Sequence, residues 1–115
     1  MIVAVNSLGD VVGVGHIVEL GHELCEFKRV DVRPDDRRRG VATQVAKAMM
    51  DRARRLGYRR AALDVMPERT AAVALWTRLG FRPCPPFRTY PFAMGFMETE
   101  LDGPSPSRFS SGRGP

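Results

Sequence analysis

Val32-Arg33-Pro34-Asp35-Asp36-Arg37-Arg38-Arg39-Gly40-Val41-Ala42-Thr43 joins the end of a strand pattern to the start of a helical one. The first turn of a helix leaves backbone N–H groups without partners, and the helix dipole favours negative charge there. Gly40 lets the backbone adopt angles that other residues resist and lets a ligand come close. Ala42 is too small to block that approach, and Arg37, Arg38 and Arg39 add positive charge at the same point. Three consecutive arginines alone are equally a solvated surface. Glycine and alanine at these offsets, at a helix start, favour a phosphate cradle. No Gly-Lys-Ser/Thr follows, so this is not a Walker loop, and the GxGxxG of dinucleotide folds is absent.

On the N-terminal side, Leu24 to Val32 reads as a strand. Period-two alternation puts Glu26, Lys28, Val30 and Val32 on one face and Cys25, Phe27, Arg29 and Asp31 on the other. Two earlier strands, Ile2 to Asn6 and Val11 to Leu20, are separated by Ser7-Leu8-Gly9-Asp10, and Gly21-His22 makes the next turn, which predicts an antiparallel meander. Gly13 and Gly15 permit a bulge or the close approach of another backbone. On the C-terminal side, Val41, Val45, Ala48, Met49, Arg52, Ala53 and Leu56 form one mostly apolar helical stripe, and Gly57 stands where a left-handed cap belongs. Arg60 to Val65 reads as a buried strand. Pro67-Glu68 opens a second helix whose apolar face is Ala72, Leu75, Trp76 and Leu79 and which ends at Gly80. Phe81-Arg82 begins another strand, Pro85-Pro86 interrupts, and Met94 to Leu101 is the last. The strand–helix–strand unit from Leu24 to Val65 predicts a parallel pair. The fold class is α/β (α+β), a mixed sheet flanked by helices. Residues 1–101 make one domain, and the Gly, Pro, Ser and Arg of 102–115 predict a disordered tail that cannot offset about 1–2 kcal/mol of ordering cost per residue.

The 115 residues suffice for one small domain, and 43% hydrophobic with 27% charged residues is ordinary for a globular chain. The longest apolar runs are far short of the roughly 20 residues of a membrane span. Met1 to Val5 lacks a basic n-region and a long apolar core, which argues against a secretory signal. The net charge of +5 comes from 18 basic residues, of which only Lys28 and Lys47 are lysines. Twelve of the 18 lie between Lys28 and Arg60, a concentration that points to an anionic partner. Cys25 and Cys84 are far apart and outside any CxxC, which predicts no disulfide frame, no zinc site and a reducing, cytoplasmic compartment. His16 and His22 lack a spaced third ligand, so no metal is expected.

Arg37-Arg38-Arg39-Gly40-Val41-Ala42 resembles the R/Q-x-x-G-x-G/A signature of the GNAT family of N-acetyltransferases, which binds the pyrophosphate of acetyl-coenzyme A. Val30-Asp31-Val32-Arg33-Pro34 is similar to the family's strand ending in V-x-P. Ala72-Val73-Ala74-Leu75-Trp76-Thr77-Arg78-Leu79-Gly80-Phe81 is similar to its A-x-x-L-Y-x-x-x-G-F segment, and Phe96 to Leu101 to its final strand. The resemblance runs from about Ile2 to Leu101. It implies a centrally splayed sheet, with Leu24 to Val32 and Arg60 to Val65 as the two strands that part. Pantetheine would lie in the gap against the backbone of Val30, Asp31 and Val32, and pyrophosphate on Arg37, Arg38, Arg39, Gly40, Val41, Ala42 and Thr43. There are three departures. The family's leading strand and two helices, which help form the acceptor wall, have no counterpart, which suggests an N-terminally truncated chain and predicts a dimer through an open edge or apolar face. Trp76 replaces a tyrosine able to protonate the departing thiolate, and an indole N–H is no acid of useful strength. Arg69 stands where many relatives have Asn.

The implied function is transfer of the acetyl group of acetyl-coenzyme A to an amine of a small molecule or protein by direct attack. The alternative is a catalytically weak acetyl-coenzyme A sensor or interaction module. A nucleic-acid partner is not expected, since the arginine cluster lacks interleaved aromatics. An ammonium must lose its proton before attack. Glu26 is the candidate base by resemblance, and the competing reading is a strand-face carboxylate that is solvated or paired with an arginine such as Arg29. Tyr90 is the candidate acid, and the competing reading is packing within Pro85 to Pro91. Tyr58, Trp76, Phe81, Met49 and Met50 read as core or groove wall, and Arg52, Arg54 and Arg55 as a solvated face.

Overall fold

The structure, a computed structural model, describes residues 2–5, 9–33 and 40–101. The expectations for Arg37, Arg38 and Arg39 and for the tail 102–115 lie outside the described residues. In chain order the elements are β1 Ile2–Val5, β2 Val11–Gly21, β3 Leu24–Val32, α1 Val41–Arg55, β4 Arg60–Val65, α2 Thr70–Arg78, β5 Arg82–Pro83 and β6 Gly95–Glu100. The strands make one mixed sheet in the order β1-β2-β3-β4-β6-β5. β3 and β4 form its parallel pair, and the other neighbours are antiparallel.

β3 departs from simple alternation. Val14 opposes Asp31 and His16 opposes Lys28, so the single residue Gly15 faces both Arg29 and Val30. This is a bulge, and Arg29 adopts a left-handed φ of 56° within it. The extra residue reverses the phase. Cys25 and Phe27 before the bulge share the core with Val30 and Val32 after it, so the predicted grouping of Glu26 and Lys28 with Val30 and Val32 is corrected. Glu26 is left on the opposite face from Cys25 and Phe27.

α1 lies on β2 where two glycines make a trough. A Cβ placed on Gly13 would sit 3.0 Å from Val45 Cγ2 and 3.1 Å from Val41 Cγ1. One placed on Gly15 would overlap Met49 Sδ. The glycines thus serve the close approach of a helix. α1 also packs on β1 and β3, and its buried face is Val41, Val45, Ala46, Met49, Met50 and Ala53. That corrects the predicted stripe: α1 packs on three strands, so Ala46 and Met50 are also buried, and Ala48, Arg52 and Leu56 are exposed.

α2 begins later than Pro67-Glu68 suggests. Those two residues form a turn closed by Arg69 N–H donating to the Met66 carbonyl at 3.0 Å, and the helix starts at Thr70 with no acidic residue in its first turn. Both helices end as predicted on glycines. Gly57 N–H donates to Arg54 O and Tyr58 N–H to Ala53 O, while Gly80 N–H donates to Thr77 O and Phe81 N–H to Trp76 O. This paired capping places Phe81 edge-on to Trp76, ring centres 5.0 Å apart, and both rings pack 6.0 Å from Phe27. The strand predicted to begin at Phe81 starts at Arg82, because the cap holds Phe81. The last strand starts at Gly95 rather than Met94. Arg54 is not simply solvated, since its Nε donates to the Leu101 carbonyl at 2.5 Å. Cys25 and Cys84 are free thiols, and burial pushes the Cys25 thiol up to about 11. Among the described residues no helix is long and apolar enough to cross a membrane.

Gly15→Val should therefore lower stability by about 1–3 kcal/mol through overpacking against Met49. Thermal denaturation by circular dichroism measures it. A melting midpoint equal to wild type would mean that α1 does not rest on this glycine.

Candidate functional site

β3 and β4 pair at only three positions, Leu24 with Arg60, Cys25 with Ala61 and Glu26 with Ala62. Beyond Glu26 the ladder between them stops, while β3 remains paired to β2 as far as Val32 and β4 remains paired to β6 as far as Val65. The expected gap thus opens at Glu26, and Val30 and Asp31 stand on its β3 side.

At the far end of β3, Gly40 caps α1 in the left-handed conformation, with φ 78° and ψ 7°. A Cβ built on Gly40 meets nothing within 4 Å among the described residues, so the glycine is required by its φ and not by crowding. The first turn, Val41-Ala42-Thr43, carries no acidic side chain and no side-chain cap. Its amides are therefore compatible with an anion.

The second feature lies on the sheet face opposite the helices. Glu26 is 1% exposed. Its carboxylate accepts two bonds from Arg88, Nη1 at 2.6 Å and Nη2 at 2.7 Å. Such a planar fork-to-carboxylate pairing is the strong form of an ion pair. Arg88 Nη1 also donates to Asp64 Oδ2 at 3.2 Å, and the Tyr90 hydroxyl donates to that same oxygen. Lys28 Nζ stands 3.9 Å from Glu26 Oε2. The two predicted catalytic residues, Glu26 and Tyr90, are thus brought into one cluster. The partner of Glu26 is Arg88 and not Arg29, which the bulge directs elsewhere. The hydrogen bond to Glu26 holds the Arg88 guanidinium even more firmly protonated than usual, against the opposing effect of burial. The Tyr90 phenol is raised above its ordinary value by its bond to Asp64 and then by burial, with Arg88 pulling the other way.

Sequence reasoning missed Asp64 and Arg88. Asp64 was one polar residue in a buried strand, and Arg88 lies 62 residues from Glu26 in a proline-rich connection. The signal present was the interruption of β4's apolar run by a single carboxylate. Tyr90 also packs, its ring 5.3 Å from Phe92 and 6.2 Å from Phe96. Trp76 is buried in the core with Phe27 and Phe81, as expected of a core or wall residue. Tyr58 is half-buried against the core.

Comparison with known proteins follows the same lines. Residues 1–81 match the sequence profile of the Acetyltransferase (GNAT) family. The chain is 37% identical over 76 residues to the uncharacterized N-acetyltransferase YjgM of Escherichia coli, covering 64% of this chain and 46% of that protein. It spans about half the length of the curated relatives it matches. A proposed acyl-CoA N-acyltransferase of Klebsiella pneumoniae superposes with a TM-score of 0.80 at 29% identity, covering 86% of this chain and 70% of that one. A Bacillus subtilis acetyltransferase solved in complex with CoA shares the fold, with a TM-score of 0.70 at 14% identity over 79% of this chain and 70% of that one.

Folding raises the Tyr90 phenol, so its bond to Asp64 stabilises the protein fully below the ordinary phenol value of 10.0. That stabilisation is lost as pH climbs through the raised value. In a Tyr58→Phe background, where Tyr90 is the only tyrosine left, the ultraviolet tyrosinate titration should have a higher midpoint than after Asp64→Asn. Equal midpoints would remove Asp64 as the cause.

Proposed function

Because the chain belongs to the Acetyltransferase (GNAT) family, we propose that it transfers the acetyl group of acetyl-coenzyme A to an amine of a small molecule or protein. The observation that carries this reading is the parting of β3 and β4 after Glu26 and Ala62. An edge of β3 no longer paired to β4 can hydrogen-bond an extended amide chain as an added strand would. The pantetheine arm supplies such a chain, and we assign it to the stretch Val30, Asp31 and Val32. The pyrophosphate then falls to the α1 N-terminus, at Gly40, Val41, Ala42 and Thr43, with Arg37, Arg38 and Arg39 supplying charge. The left-handed Gly40 and the acid-free first turn support that placement.

Acetyl-coenzyme A supplies the activated acyl group as a thioester. The amine nitrogen forms the new bond to the acyl carbon as the carbon–sulfur bond breaks. The ammonium proton leaves to a base, and the departing thiolate takes up a proton. Glu26 stands at the mouth of the gap, where a base for the incoming amine belongs. Tyr90 is the phenol nearest to Glu26, and its raised phenol keeps its proton at neutral pH. It reaches the thiolate only if its hydroxyl turns from Asp64. The second reading, a coenzyme-binding module with weak turnover, is favoured by the same geometry, because Arg88 occupies Glu26 and Asp64 occupies Tyr90.

Free Cys25 and Cys84 fit a reducing, cytoplasmic setting. The edge position of β1 in the sheet, and Val11 and Val18 of β2, 53% and 40% exposed, support self-association. Light scattering should report a dimer or larger species, and a monomer at high concentration would exclude it.

The decisive experiment is calorimetric titration with acetyl-coenzyme A. Gly40→Glu should abolish binding by placing bulk and negative charge at the helix N-terminus, with the circular dichroism spectrum retained. Loss of one charged contact to the pyrophosphate should cost roughly 1.5–3 kcal/mol. Unchanged affinity in Gly40→Glu would overturn the assignment. Binding without thiol release over a panel of amines would select the module.

A further inference from the structure

We propose that Glu26, Asp64 and the Tyr90 hydroxyl form a cation seat whose built-in occupant is the Arg88 guanidinium, and that a cationic acceptor, an alkylammonium, enters by displacing Arg88. The word acceptor rests on the acetyltransferase reading, whereas the seat stands on geometry alone.

Three observations carry the inference. The first is that the seat is built for positive charge. Glu26 is 1% exposed and gives both oxygens to Arg88, and Asp64 Oδ2 lies 3.2 Å from the same Nη1. Glu26 is nearly fully buried while Asp64 is 22% exposed. With only Lys28, 3.9 Å away, beside it among the described residues, Glu26 would be poorly compensated without a second cation, because a buried under-paired carboxylate is strongly disfavoured. The seat therefore favours a cation over a neutral or anionic group in place of Arg88. An ammonium has three donors, which match Glu26 and Asp64.

The second is that the occupant is displaceable. Arg88 belongs to residues 85–94, which have no helix or strand, and its side chain is 33% exposed. The segment is pinned at its start, where Cys84 N–H donates to the Phe96 carbonyl at 3.0 Å, and at its end by the pairing of Gly95 with Val65. Between those points side chains hold it to the sheet. Phe87 stands edge-on to Phe96 at 4.9 Å, and Tyr90 bonds Asp64. A segment so attached opens at lower free energy than the ladder beneath it. Arg88 Cζ lies 5.2 Å from the centre of the Phe87 ring, a face on the same irregular segment, so the guanidinium keeps this contact if the segment moves as a unit.

The third is position. Glu26 is the last β3 residue paired to β4, so the seat lies where the gap begins. An ammonium exchanged for Arg88 would be next to Glu26, the group proposed to take its proton, and beside the groove proposed for the thioester. Displacement of Arg88 would thus free the base in the same event that brings the nucleophile. Lys28, 3.9 Å from Glu26, remains to keep the cluster near neutrality.

The test is occupancy of the vacated seat by a probe, without coenzyme. Methylguanidinium chloride should raise the melting midpoint of Arg88→Ala saturably above a matched potassium chloride control. In wild type, where the probe must compete with Arg88, the same rise should need a higher concentration, and it should be absent in Glu26→Gln/Arg88→Ala, where the anchoring charge is gone. No saturable rise in Arg88→Ala, or an equal rise in the double variant, overturns the proposal. If Arg88→Ala does not fold, butylammonium is titrated into ¹⁵N-labelled wild type. The Arg88 Nε signal should shift and its proton exchange should quicken on displacement, and an unchanged signal through the titration overturns the proposal. A responsive seat with no affinity for acetyl-coenzyme A would remove the acetyltransferase reading alone. Coenzyme binding with an unresponsive seat would remove this inference alone.

Discussion

Two parallel strands that pair at three positions and then separate present peptide groups to whatever enters between them. That separation begins at Glu26 and Ala62, and the rest of the molecule is arranged around it. Beyond Glu26, β3 remains in the sheet through its pairing with β2 as far as Val32. The bulge at Arg29 is the adjustment that allows both. It lets Val30 and Val32 return to the core face after the strand has turned Glu26 to the other side. Gly15 opposite the bulge leaves room for Met49 and so seats α1 against the same strand. The helix whose N-terminus is proposed to hold an anion is therefore seated by the glycine that faces the bulge.

The two faces of the sheet divide the work. The helix face is apolar and aromatic, with Phe27, Trp76 and Phe81 meeting at 5.0–6.0 Å between ring centres. Aromatic contacts of this kind fix the position of α2 relative to β3. The opposite face carries Glu26 and Asp64, which burial would disfavour without positive partners. Arg88 supplies the charge from an irregular segment, and Phe87 and Tyr90 hold that segment through their rings. The same guanidinium that neutralises these buried carboxylates is the one proposed to give way to a cationic acceptor.

The element order was legible in the sequence because turn residues punctuate it. Gly57 and Gly80 end the helices through paired caps, and the β3 bounds Leu24 and Val32 follow directly from the residue pattern. The left-handed Arg29 was not legible, since an arginine gives no local signal for a positive φ and only the facing Gly15 hints at it. Pro67-Glu68 misled in the other direction, because a proline suited to the first turn of a helix also suits the turn before one. The glycine of the candidate anion site was legible, as was Glu26. Its true partner was not, because Arg88 is brought to Glu26 across 62 residues by the return of β6 beside β4. Pairings set by topology leave no periodic trace.

The position of Trp76 bears on how such a site obtains a proton donor. Trp76 is 5% exposed and sealed between Phe27 and Phe81 on the helix face. The carboxylate cluster lies on the other face, so a phenol at position 76 and one at position 90 would act from opposite sides of the sheet. Tyr90 stands with the carboxylates, and its hydroxyl is committed to Asp64 while Arg88 is in place. Arg88 and Tyr90 share Asp64 Oδ2 as acceptor, so movement of one changes the field at the other. A cation that releases Arg88 from Glu26 and Asp64 therefore alters the hydrogen-bonding of the only phenol in the cluster. The proposed base, Glu26, and the proposed acid, Tyr90, are thus linked through the Arg88 guanidinium and Asp64 Oδ2.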